Sequence, residues 1–292
     1  MAEIYEIKNR IDGLKSIHNI TYAMQIVTIS RLKRITNQLL KLKDSLEGVK
    51  SILADLVYEN PKFAQRFYPD IDESKDPLLV IFFSNRGFCG SFNQDVFKAV
   101  ERFCEQKGLD LNAIPKIGVG KKAPVIMRKV PNTVFVEPVK DLFSKEEGAA
   151  LYEQIQVHMA ENRQIYFGFF EFKSIVSQHV AISSFYPPSP SDFEVKSPEG
   201  KPGARVPNYL EPNRKEVENR MLDYYYYLKM FRTIRDSASS EFSQRFLLMK
   251  SAVDNVKSLG EELTMELNKE RQRGITQEIS EIISTFKALS KK

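Results

Sequence analysis

Apolar residues recur at helical spacing at both ends of the chain. From Leu32 they fall at Ile35, Leu39, Leu42, Leu46, Val49, Leu53 and Leu56, an unbroken alternation of three and four that gives a helix one narrow apolar seam, the spacing of a coiled coil. Upstream, Ile4, Ile7, Ile11, Leu14, Ile17, Ile20, Met24 and Val27 keep a helical period with a drifting register, so residues 1–58 are read as one long helix. It is expected to stop at "ENPKF" (59–63), because proline cannot continue the hydrogen-bond ladder. The last third mirrors the first. Phe242, Phe246, Met249, Val253, Val256, Gly260, Leu263 and Leu267 alternate four and three, and Ile275, Ile279, Ile282, Phe286 and Leu289 resume the pattern after a one-residue shift. A helix over 214–290 would be on the order of 115 Å long at 1.5 Å per residue, too long to bury inside its own globule. Two helices from opposite chain ends, winding on each other and projecting into a partner, account for that length.

The middle of the chain changes period. "LLVIFFSN" (78–85) is a continuous apolar run, expected for a strand buried on both faces, and the helical "SFNQDVFKAVERFCEQ" follows it. Strand-like "IPKIGVG", "NTVFVEPV", "RQIYFGFFEF" and "HVAISSFY" come next, with helices expected around 121–129 and 145–160. This alternation predicts an α/β layer with a mostly parallel sheet over 70–186. Seven of the fourteen prolines lie between Pro187 and Pro212, which marks 187–213 as an irregular connector. The fold class expected is therefore a Rossmann-like α/β domain inserted between long N- and C-terminal helices that form an antiparallel coiled coil.

Composition narrows the chemistry. Two cysteines, Cys89 and Cys104, and three scattered histidines among 292 residues make neither a disulfide framework nor a metal-ligand spacing, and a reducing setting with no metal is expected. No apolar run approaches the ~18 residues that span a bilayer, so the chain is expected to be soluble, with any membrane contact indirect. The net charge of +5 is modest for this length, which argues against a general nucleic-acid footprint.

The local motifs are suggestive and incomplete. "RGFCGS" places Cys89 on a glycine turn after a strand, yet it lacks the G-x-C-x-G spacing of a nucleophile elbow. "KIGVGKKAP" has Pro115 where a phosphate loop needs glycine and Lys122 where it needs Ser or Thr. Gly118, Gly120 and Ala123, with Glu137 after the next strand, meet only the loose form of a dinucleotide fingerprint. The reading favoured for both glycine stretches is a strand-to-helix turn, Gly87 and Gly90 lacking the Cβ that would obstruct it. No cofactor site and no catalytic group are assigned to this chain. Charge says more: from Gly13 to Lys43 there is no acidic residue, while Lys15, Arg31, Lys33, Arg34, Lys41 and Lys43 are basic. A solvated face would look so, and so would a helix that meets an acidic surface.

Three stretches resemble the gamma subunit of F-type ATP synthases. "EIKNRIDGLKSIHNITYAMQIVTISRLKR" is similar to that family's N-terminal helix, "LLVIFFSNRGFCGSFNQDVFK" to its strand and glycine turn, and "RFLLMKSAVDNVKSLGEELTMELNKERQRGITQEISEIISTFKAL" to its C-terminal helix. The resemblance implies a central-stalk rotor without an active site. In that family the coiled coil threads a hexamer of alpha and beta subunits, the α/β foot rests on the membrane c-ring beside epsilon, and ATP, ADP and Mg are bound by partner subunits. It further implies a peripheral position on the cytoplasmic face of a bacterial energy-transducing membrane, and no nucleic-acid partner.

Carried onto this chain, the resemblance implies that Met24, Arg31, Lys33 and Arg34 pass an acidic loop of beta. Arg245, Arg271, Gln272, Thr276 and Gln277 match polar positions that meet the hexamer, and Arg86, Gly87, Cys89 and Gly90 form a turn near the junction of shaft and foot. The chain departs from the family's pattern at Tyr22, Gln25, Thr28, Ile29, Phe88 and Leu248. Two rival readings remain at this point. One is a coiled-coil scaffold with an inserted α/β domain in another membrane-associated or rotary complex. The other is an enzyme in which Cys89 or Lys121 is required for turnover.

Overall fold

The computed structural model describes residues 2–138, 143–189, 193 and 210–289. The elements run α1 (Ala2–Glu59), α2 (Pro61–Phe67), β1 (Leu78–Phe82), α3 (Phe92–Lys107), β2 (Lys116–Val119), α4 (Ala123–Ile126), β3 (Thr133–Val136), α5 (Lys145–Ala160), β4 (Ile165–Phe172), β5 (Gln178–Tyr186) and α6 (Arg214–Leu289). The chain divides into two compact units, one of residues 1–30 with 245–292 and one of residues 31–244.

The larger unit is built on a five-stranded sheet ordered β3-β2-β1-β4-β5, parallel throughout except for the antiparallel β4–β5 pair. All five residues of β1 are buried. Leu78, Val80 and Phe82 enter one core, with Leu151 and Ile155 of α5, Tyr225 and Phe231 of α6 and Leu46, Val49, Leu53 and Leu56 of α1. Leu79, Ile81 and Phe83 enter the other, with Phe92, Val96 and Val100 of α3 and Ala123 of α4. The unbroken apolar run is thus a strand whose two faces both carry helices. Within this unit α1 and α6 run antiparallel, because Lys43 meets Asp236 at 3.5 Å while Glu59, further along α1, meets Arg214, further back along α6, at 2.8 Å.

The proline at 61 does end α1, but the chain does not stay irregular. Asn60 accepts the Lys62 N–H with its side chain and Pro61 occupies the first turn of α2, a position where its missing N–H removes no helical bond. A second helix starts there, and it buries Phe63 and Phe67 completely. The helix expected over 121–129 is only the four residues of α4. The proline-rich stretch falls mostly outside the described residues; of it, Phe193 packs edge-on against Phe67 with ring centroids 4.7 Å apart.

In the smaller unit the first part of α1 packs on the stretch of α6 around residues 256–267. Ile7, Leu263 and Leu267 are buried together, with Ile4, Ile11 and Leu14 against them. Next to them, Ile11, Leu14 and His18 line a groove with Val256, Gly260 and Met265. Rising numbers on α1 face falling numbers on α6, so the pair is antiparallel here too. Gly260 sits at a seam position, and a Cβ there would meet nothing within 4 Å, which leaves the groove open.

Gly148 of α5 lies against the Phe231 ring, where an added Cβ would overlap the ring carbons. Gly148→Ala gains about 1 kcal/mol of helix propensity but overpacks the core, at about 1–3 kcal/mol. The expected outcome is a net loss of about 1 kcal/mol in denaturant unfolding, with a larger loss for Gly148→Leu.

Candidate functional site

Two groups of residues were expected to carry function, a turn after β1 and a set of polar positions on the long helices. The turn lies where an open α/β sheet would bind a ligand. Successive connections move from β1 to β2 and β3 on one side, then return to β4 on the other. The carboxyl ends of β1 and β4 therefore flank a switch point, the usual nucleotide crevice of such folds. Here the crevice is filled from within. Asn85 N–H donates to Glu241 Oε2 at 3.1 Å and Arg86 N–H to Glu241 Oε1 at 3.3 Å, so a carboxylate of α6 sits on the backbone donors that would otherwise face a phosphate. Glu241 is buried. Beside it Ser240 Oγ donates to Phe170 O of β4 at 3.3 Å.

The helix can lie this close because its side chains are small. Ser237, Ala238, Ser239, Ser240 and Ser243 are all buried, and short side chains let a helix backbone approach the strand ends. Asp236 joins them, ion-paired with Lys43 and with Arg232 Nε at 3.3 Å. Burial pushes the Asp236 carboxyl above its ordinary range, and these two cations act in the opposite direction. Neither Glu241 nor Asp236 was among the residues singled out from sequence. The available signal was the run "DSASSEF" (236–242), too small and polar for an ordinary seam.

The turn itself is pinned by hydrogen bonds and differs in detail from expectation. The positive φ values fall at Phe88 (58°) and Gly90 (61°), not at Gly87. Gly87 is therefore not required for backbone conformation, whereas Phe88 is a bulky residue in a region that such residues rarely enter. Asn93 ties the turn together: its Oδ1 accepts the Ser84 N–H at 2.8 Å and its Nδ2 donates to Ser84 Oγ at 2.8 Å. Cys89 is buried, with its thiol toward Arg86 O at 3.6 Å, whereas Arg86 and Phe88 are exposed, Phe88 by 70 %.

The second glycine stretch also serves packing. Gly120 has φ 113°, and a Cβ there would strike the Phe83 carbonyl; a Cβ on Gly118 would crowd the Phe135 ring and Ala123. The nearby donors are engaged within the chain: Gly120 N–H to Val136 O, Lys122 N–H to Ser84 O and Lys121 N–H to Asn85 Oδ1. The glycines of the loose dinucleotide fingerprint are there to bring strands and loop together.

Of the helical set, Lys33 and Arg34 are exposed and Arg31 is half-buried, interleaved with the fully buried Leu32 and Ile35. Part of the acid-free stretch is answered within the chain, since Lys43 faces Asp236. In the smaller unit Met24 is half-buried and Arg245 is buried, only 3 % exposed. Arg271, Gln272, Thr276 and Gln277 are all exposed. Gln272 and Thr276 share one face, and Thr276 Oγ donates to Gln272 O at 2.9 Å. At about 100° per residue, Arg271 and Gln277 lie on other faces, so the four encircle the helix. Alongside them Ile275, Ile279, Ile282 and Phe286 are 51–73 % exposed, a stripe of large apolar side chains that no described residue covers.

Removing the Glu241 carboxylate takes that acceptor from the part-buried Asn85 and Arg86 N–H groups, at about 1–2 kcal/mol each, the lower end of the cost of a lost buried hydrogen bond. Glu241→Ala is expected to lower stability by about 2–4 kcal/mol and to speed amide exchange at both residues. Glu241→Gln, which keeps one acceptor oxygen, is expected to lose about half as much. Unchanged exchange at residues 85 and 86 in the alanine variant would remove the anchoring role.

Comparison with known proteins agrees with this architecture. The family model described as ATP synthase matches residues 3–289. The ATP synthase gamma chain of Flavobacterium johnsoniae is 30% identical over 302 residues, covering 99% of this chain and 100% of the relative. That of Paraburkholderia xenovorans is 27% identical over 289 residues, covering 97% and 98%. Among solved structures, the rotor of the Euglena gracilis mitochondrial ATP synthase matches with a TM-score of 0.63 at 16% identity, covering 94% of this chain and 99% of that one. The central stalk and c-ring structure from Tetrahymena thermophila matches with a TM-score of 0.58 at 20% identity, covering 80% and 99%. With its long paired helices, its inserted mixed sheet and a match along nearly all its length, the chain belongs to the ATP synthase gamma-chain family.

Proposed function

We propose that this gamma chain, the non-catalytic central-stalk subunit of an F-type ATP synthase, couples rotation of a membrane c-ring to conformational cycling of catalytic beta subunits. The observation that carries the reading is the end of α6. Ile275, Ile279, Ile282 and Phe286 stand exposed there, with Arg271, Gln272, Thr276 and Gln277 distributed around the helix. An apolar stripe of this kind marks an interaction surface, and recognition groups on all sides suit a partner that encloses the helix, as a ring of alpha and beta subunits would.

Charge sets the register of that contact. Lys33 and Arg34 project outward while Leu32 and Ile35 hold the helix to its own unit, so an acidic loop of beta would meet cations on a fixed support. Arg245, being buried, would act by holding the shaft rather than by touching the ring. The turn at 84–91 offers Arg86 and Phe88 from a frame fixed by Glu241 and Asn93. Torque entering the α/β foot, seated on the c-ring beside epsilon, would pass into α6 through that frame. A rotor works by differential contact with distinct states of its partner, so the shaft needs rigidity more than tight adhesion. Among the described residues no helix is long and apolar enough to cross a membrane, so contact with the membrane would run through the ring.

The chain alone is expected to show no ATPase activity. Affinity capture of the tagged chain should bring down alpha and beta subunits in comparable amounts, and their absence would sink the reading. Within the assembled complex, Arg271→Ala with Gln272→Ala should leave assembly intact and slow ATP-driven rotation on the order of tenfold, given about 1.5–3 kcal/mol for a hydrogen bond to a charged group. Unchanged single-molecule rotation would remove the role assigned to those two residues.

A further inference from the structure

β3 is the outer strand of the sheet, and among the described residues it pairs with β2 alone. Asn132 O accepts the Lys116 N–H and Val136 O accepts the Gly120 N–H, both at 2.9 Å. In a parallel ladder the residues that bond a given neighbour alternate, so the main-chain groups of Val134 face β2 as well. Those of Thr133 and Phe135 face outward. Beside this edge Val134 is 58% exposed on one face of the strand and Phe135 38% on the other, and among the described residues no further strand pairs with it.

Natural edges are usually blunted by a lysine, a proline, a bulge or a covering segment. The four residues of β3, Thr-Val-Phe-Val, contain neither lysine nor proline. Pro131 and Pro138 stand just outside them, which limits any added pairing to the short window between. Charge around the window is one-sided. Over residues 121–137 the chain has Lys121, Lys122, Arg128 and Lys129 against Glu137 alone. Arg128 and Lys129, on the approach to β3, are exposed and join no ion pair among the described residues.

We infer that the outward edge of β3 is a docking site for an acidic, extended segment of a partner polypeptide, which adds as a sixth strand by pairing with the main chain of Thr133 and Phe135. Main-chain hydrogen bonds supply the attachment and the basic flank selects the charge of the partner. A second copy of this chain is the wrong occupant, because edge-to-edge pairing would bring two basic flanks together. The site lies on the sheet of the larger unit and does not depend on the shaft reading.

The test is residue-resolved amide exchange on the full chain with two synthetic ten-residue peptides, one alternating valine and glutamate, the other valine and lysine. The acidic peptide is expected to slow exchange at Thr133 and Phe135 by roughly tenfold, to leave the β2-bonded amides of Val134 and Val136 little changed, and the basic peptide to do nothing. Arg128→Glu with Lys129→Glu, both at exposed positions, should reverse the preference. No protection by the acidic peptide, equal protection by both, or the same preference in the reversed variant would each overturn the proposal. Protection of Thr133 and Phe135 that rises with protein concentration alone would assign the edge to a second copy, and would overturn it too.

Discussion

A buried carboxylate at the end of a strand joins the second of the two long helices to the sheet of the larger unit. Glu241 belongs to a helix of 76 residues, and it accepts two backbone N–H groups from the turn that follows β1. A charge withdrawn from water is tolerable only when its acceptor capacity is used, so the position of α6 and the shape of the turn fix one another. Beside this contact the serine-rich segment is buried, and Asp236 faces Lys43 on α1, which runs antiparallel to α6 within the larger unit. The contact also explains how a nucleotide-binding architecture does without a nucleotide. The backbone donors that would meet a phosphate already hold an anion, one supplied by the chain itself.

Packing along α6 then follows a gradient. Between Tyr225 and Arg245 most side chains are buried, Tyr225 and Tyr226 almost completely; from Arg271 to Phe286 nearly all are exposed. The first stretch is stabilised by the chain's own core. The last stretch is a poor helix to leave alone in water, since isolated helical segments gain most of their stability from tertiary packing. Its exposed isoleucines and Phe286 give it somewhere to place that packing once a partner is present. The helix is thus packed within its own unit at one stretch and exposed at the other.

The period of the apolar residues was enough to show both long helices, because a three-four alternation sustained over many turns has few other physical meanings. The continuous run at 78–82 showed a strand buried on both faces for a similar reason. What could not be read was whatever depended on residues distant in sequence. Glu241 and Asn85 are separated by 156 positions, and nothing local to either announces the pairing. Gly87 and Gly90 look equivalent in the sequence, yet only Gly90 adopts a positive φ, and Phe88 takes the other such position. Resemblance to a family motif singled out the donors at 271–277, and the fold leaves them exposed. The burial of Arg245, which stands in the same kind of motif, was not legible in that way, because a motif records residue identity and says nothing of the environment that the fold supplies.

The same reasoning separates the two glycine stretches from the chemistry they resemble. In "RGFCGS" a cysteine follows a strand, and in "KIGVGKKAP" glycines and lysines do; in both, proximity in sequence suggests reactivity. In the fold, the Cys89 thiol is turned inward toward Arg86 O and Asn93, while Gly118 and Gly120 admit the Phe135 ring and the Phe83 carbonyl. Reactivity requires a group that a substrate can reach, whereas these groups are spent on closing the crevice at the end of β1. The turn keeps one outward feature, the pair Arg86 and Phe88. An exposed guanidinium and an exposed ring, on a turn whose backbone is pinned to Glu241 and Asn93, are groups that a partner can reach, whereas the buried Cys89 thiol is not.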